Sequence, residues 1–78
     1  MPRYFFDLKM GEGELEVDLE GVTLVGPQAA KQEALRAMGE LLRERLAQGK
    51  PDSFIMQVRD EAGTAILRTA VTVRHEKI

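Results

Sequence analysis

The sequence predicts an α+β domain in which one long helix packs on one face of a small, mainly antiparallel sheet. Three observations carry that expectation. A 22-residue stretch from Pro27 to Gln48 repeats apolar residues at helical spacing. The segments before and after it are short, rich in aromatic and β-branched residues, and punctuated by glycine. At 78 residues there is room for a single domain, expected to span 1–78.

Arg3 to Leu8 reads as the first strand, with Tyr4, Phe5 and Phe6 in succession. Lys9-Met10-Gly11-Glu12-Gly13 follows as a hairpin loop, its two glycines expected to supply positive φ angles. Glu14 to Leu19 alternates acidic and apolar residues, the pattern of a half-buried second strand. Glu20-Gly21 is a turn or bulge, and Val22 to Val25 a short third extended piece.

Gly26-Pro27 opens the helix, because proline at the first position gives up an N–H that has no partner there. Gly49 can take the left-handed cap after Gln48, and Lys50-Pro51 blocks continuation. Ala30, Ala34, Ala37, Met38 and Leu41 form one apolar stripe, and Leu35, Leu42 and Leu46 a second beside it. Gln32, Glu33, Arg36, Glu40, Arg43 and Glu44 cover the opposite side, with Arg36 and Glu40 spaced for an i,i+4 pair. Ser53 to Asp60 and Thr64 to about Arg74 are the last two strands, joined by Asp60-Glu61-Ala62-Gly63. Glu76-Lys77-Ile78 reads as a frayed tail. The expected order is strand, strand, short strand, helix, strand, strand.

Composition narrows the function classes. The chain has no cysteine, so a disulfide framework is excluded and a reducing, cytoplasmic setting is expected. With a single histidine, His75, and no thiolate, a structural zinc is not expected. The net charge of −2 divides into −3 over residues 1–39 and +1 over residues 40–78, a shallow gradient without the basic patch of a direct nucleic-acid binder. No apolar run near the start is long enough for a membrane span. A domain this small has a marginal core and commonly needs a partner subunit; a homodimer is therefore expected.

No catalytic constellation is legible. Ser53 is the only serine and has no histidine near it in sequence, and Gly11-Glu12-Gly13 lacks the helix and third glycine of a dinucleotide loop. Glu12, Glu14, Glu16, Asp18 and Glu20 fall at even positions, as on a solvated strand face that could pair with Arg59, Arg68 or Arg74. No enzyme activity, cofactor or metal is expected. The candidate interaction surface comprises Phe5, Ile55 and Ile66 on the sheet face away from the helix, and Leu35, Leu42 and Leu46 on the helix. Gly39 fits a close helix–helix approach within such a seam.

Pro2-Arg3-Tyr4-Phe5-Phe6, then Asp18-x-Glu20-Gly21-x-x-Leu24, then Ala29-Ala30-x-x-Glu33-Ala34 resembles a family of short uncharacterised proteobacterial proteins, common in rhizobia. The resemblance spans nearly the whole chain and implies a single sheet packed on one helix, with no activity attached. The chain departs from that family at Asp7, where histidine is frequent, and at Val25-Gly26, where Pro-Asp is frequent. Asp18-Leu19-Glu20-Gly21 leading into an alanine-rich helix is also similar to HicB-type antitoxin domains, which implies an alternative role as a subunit masking a small protein toxin. The reading favoured over it is a small, non-catalytic interaction or regulatory module that self-associates.

Overall fold

The structure, a computed structural model, describes residues 1–49 and 52–78. Its elements run β1 (Arg3–Met10), β2 (Val22–Thr23), α1 (Pro27–Gln48), β3 (Asp52–Arg59) and β4 (Ala65–Val73). The strands form one antiparallel sheet in the order β2-β1-β3-β4, with α1 against one face. The α+β architecture expected from the periodicities is the one observed.

Alternation along each strand sorts the side chains between the faces. Tyr4 on β1, Phe54, Met56 and Val58 on β3, and Val73 on β4 are buried, and α1 buries Ala30, Ala34 and Met38 against them. Ala30 and Ala34 recur four residues apart, so they line one helix face, and their small side chains bring the helix backbone close to the sheet. Phe6, Leu8, Met10, Ala37, Leu41 and Leu42 pack around that cluster.

Proline at the first position begins α1 as expected, and Gly49 ends it with φ 68°, its N–H donating to the Leu46 carbonyl. The expected block at Lys50-Pro51 lies outside the described residues. Arg36 ties two turns of the exposed helix face together by pairing with both Glu33 and Glu40. Gly63 takes φ 84° in the β3–β4 connection, where the Asp60 carboxylate accepts the Ala62 and Thr64 N–H groups.

Two expectations are corrected. Glu14 to Leu19 is not a strand: it makes a single bridge, Leu8 to Glu16, and otherwise runs as a bent loop. The reason is that side chains replace the ladder, as described below. Of the two loop glycines, Gly11 has positive φ (58°) and Gly13 does not. Gly13 matters for space instead, since a Cβ there would meet the Met10 carbonyl oxygen at 3.0 Å.

The core makes a direct test. Phe54 is fully buried, so Phe54→Ala is expected to cost about 3–5 kcal/mol. Leu46 is half exposed, and Leu46→Ala is expected to stay within about 0.5 kcal/mol of the parent. Urea unfolding followed by circular dichroism measures both.

Candidate functional site on the outer sheet face

The sheet face turned away from α1 carries an ionic cluster whose members lie far apart in sequence. Asp7 stands on β1 between Phe6 and Leu8, yet it points outward and is only 2% exposed. Arg59, at the end of β3, donates from Nε to Asp7 Oδ2 at 2.6 Å and from Nη2 to Asp7 Oδ1 at 3.1 Å. The register places Phe5 directly across from Arg59, and the guanidinium carbon lies 5.0 Å from the Phe5 ring centroid. One cation is therefore held by a two-point carboxylate pair and by an aromatic face.

The same pair captures the loop that follows β1. The Asp18 N–H donates to Asp7 Oδ1 at 2.9 Å, and Arg59 Nη2 donates to the Asp18 carbonyl at 3.0 Å. The Asp18 carboxylate in turn accepts the N–H of Phe6 at 3.0 Å and those of Glu20 and Gly21 at 3.1 Å each. Asp18 thus stands in for a neighbouring strand at Phe6, between the β2 pairing at Arg3 and Tyr4 and the bridge at Leu8. This is why the alternating segment does not become a strand.

Gly21 completes the turn. It has φ 71°, and a Cβ there would sit 2.8 Å from both Arg3 Cγ and the Tyr4 carbonyl oxygen. Position 21 therefore needs glycine for backbone conformation and for space.

Ionisation follows from these bonds. The Arg59 hydrogen bond holds the Asp7 carboxyl below the ordinary carboxylate range, against the opposing effect of burial. Burial also works against Asp18, but the N–H groups of Phe6, Gly21 and Glu20, with Arg59 nearby, outweigh it and lower its pKa. Asp7 raises the Arg59 pKa in turn.

Beyond the tied loop the face opens into a shallow hollow of about 200 Å³ lined by Lys9, Leu15, Ile55, Gln57 and Arg68. Ile55 forms its floor between Lys9 and Ala70, and Arg68 leans inward, donating to Gln57 Oε1 at 2.9 Å. Among the described residues, no group of three or more His, Cys, Asp and Glu side chains could hold a metal ion, and no helix is long and apolar enough to cross a membrane.

The surface residues singled out from sequence separate in space. Ile55 and Ile66 are exposed on the β3–β4 half. Phe5 is half-buried beneath Arg59 and beside Gly21, so it serves the fold. Leu35 and Leu46 are exposed on the helix, whereas Leu42 packs against the core cluster. Among the described residues, no atom outside the neighbouring helix backbone lies within 4 Å of where a Cβ at Gly39 would stand. Of the acidic series, Asp18 alone is engaged inward, and Glu12, Glu14, Glu16 and Glu20 are exposed.

Two signals in the sequence mark the cluster. One is a carboxylate within an aromatic strand, Tyr4-Phe5-Phe6-Asp7-Leu8; the other is the spacing Asp18-x-Glu20-Gly21, which suits an aspartate accepting N–H groups two and three residues on.

The pH response follows in sign. Carboxylates whose folded pKa is depressed contribute stability that is fully present above the unfolded value near 4 and lost as pH falls through the folded value. Stability is therefore expected to fall on acidification below about pH 4. Asp7→Asn is expected to flatten that acid limb and to cost about 2–4 kcal/mol at pH 7, since it leaves the Arg59 charge without its carboxylate. Urea midpoints measured from pH 7 down to pH 3 provide the check.

No curated protein and no solved structure matches this chain. A family described as a domain of unknown function, DUF6894, matches residues 3–72. That span contains β1, β2, α1, β3 and nearly all of β4, together with Asp7, Asp18 and Arg59. The chain belongs to that family, DUF6894, whose function is unknown.

Proposed function

We propose that this protein is a small, non-catalytic interaction module that works by self-association, using the half of its sheet that neither the helix nor the tied loop covers. One observation carries the reading. The Asp7–Arg59–Asp18 cluster commits the loop to the β1 half of the outer face, while Ile55 and Ile66 on the β3–β4 half remain exposed. Apolar side chains on a one-layer sheet are stabilised when a second surface excludes water from them.

The chemistry of the face agrees with a binding role. Its buried carboxylate is neutralised by Arg59 and also accepts the Asp18 N–H, so it is not poised as an acid or base. The hollow beside it is shallow and apolar-floored, suited to the edge of a protein contact. A cysteine-free chain also suits work in a reducing cytoplasm.

The test is oligomeric state by size-exclusion chromatography with light scattering. Ile55→Glu and Ile66→Glu each place a charge where the reading requires burial, costing about 2 kcal/mol or more, so the Kd of this face contact is expected to rise at least about thirtyfold. Leu35→Glu on the exposed helix row is expected to leave the dimer intact. A dimer that survives both isoleucine changes and dissociates with Leu35→Glu would move the interface to the helix and overturn the reading.

A further inference from the structure

The two edges of the sheet are treated differently. Beside β1, the backbone is paired by β2 at Arg3 and Tyr4, by the Asp18 carboxylate at Phe6, and by Glu16 at Leu8. At the other side β4 is the last strand, nine residues long, and among the described residues no strand pairs with its outer edge.

Devices that normally blunt an edge are scarce in β4. It contains no proline, and its one charged residue, Arg68, is drawn inward to Gln57. Its bulge is confined to the start: Val58 pairs with Leu67 and Arg59 with Ala65, leaving Ile66 as the extra residue. From Leu67 to Val73 the strand is regular.

We infer that β4 pairs antiparallel with β4 of a second copy about a two-fold axis through Thr69, joining two four-stranded sheets into one of eight strands. The inference rests on the self-association proposed above and adds to its face contact a second one along the sheet edge, with Ile55 left on the outer face of the joined sheet. An axis normal to the sheet keeps both helices on one side, so residues facing one another must point to the same face.

Charge then selects among the few registers that remain. An axis through Arg68 sets that arginine against itself, and one through Val71 sets it against Arg74. An axis through Leu67 places the bulged Ile66 within the central pairs. An axis through Ala70 puts Arg68 diagonal to Arg74 on both sides. Through Thr69, Leu67 faces Val71 twice, Arg68 faces Ala70 twice, and the threonine faces its own copy, a favourable pairing. The two Arg68 side chains are then diagonal neighbours, each drawn toward its own Gln57. The strand is self-complementary in this register, which favours a second copy over an unrelated strand as the occupant.

The chain has no cysteine, so a single substitution supplies a unique reporter. Facing residues in such a pair have Cα atoms about 4.5–5.5 Å apart, within disulfide reach. Thr69→Cys is expected to form a cross-linked dimer under mild oxidation at least about tenfold faster than Thr72→Cys, which lies on the same strand but far from its own copy. Light scattering on the unmodified chain separates the remaining outcomes. A dimer with equal or no cross-linking at the two positions would overturn the β4 pairing while leaving self-association standing. A monomer at every concentration would overturn both.

Discussion

The pairing of Asp7 with Arg59 is the interaction on which the outer half of this structure depends. A carboxylate within an aromatic strand would be costly to bury alone. Here Arg59 neutralises it through two hydrogen bonds, and the backbone N–H of Asp18 uses more of its acceptor capacity. Arg59 then reaches on to the Asp18 carbonyl, so one guanidinium joins β1, β3 and the loop between β1 and β2. Such a pair gives the loop one position, and removing either partner would leave the other charge half-buried and uncompensated.

The helix side obeys a different logic. There the fold is held by apolar burial, with small alanines on α1 letting Phe54, Val58 and Met38 close the space between helix and sheet. The two sides meet in the strands, whose alternation sends Tyr4 inward and Asp7 outward along the same eight residues. A domain of this size buries a modest core. Pinning the loop by charge on one face and packing the helix on the other spreads the stabilising contacts over both faces of a single sheet, and it leaves the β3–β4 half of the outer face as the open surface.

Much of this was legible in the residues. The helix was readable to within a residue because Pro27 and Gly49 mark its ends by backbone constraints that do not depend on tertiary context. The long strands were readable for the same kind of reason. The segment from Glu14 to Leu19 departs from its pattern because strict alternation reports only that side chains could divide between two faces, and the outcome is decided elsewhere. Asp18 bonds to Phe6 and to Asp7, twelve and eleven residues away, and Arg59 is 41 residues from Asp18. No local window contains those partners. Phe5 and Leu42 illustrate the same limit at the candidate site: spacing alone places each on the candidate interaction surface, and each is used by a neighbour that sequence distance conceals, Arg59 for one and the core cluster for the other.

Native-state amide hydrogen exchange tests the central claim most directly, because the tie is made of backbone N–H groups as much as side chains. If the cluster fixes the loop, the amides of Phe6, Asp18 and Gly21 will exchange as slowly as those of Met56 and Val58 in β3, opening only when the sheet does. If Asp18 and Gly21 instead exchange at the rate of an exposed loop amide while Met56 and Val58 stay protected, the loop opens on its own and the Asp7–Arg59 pair does not hold it.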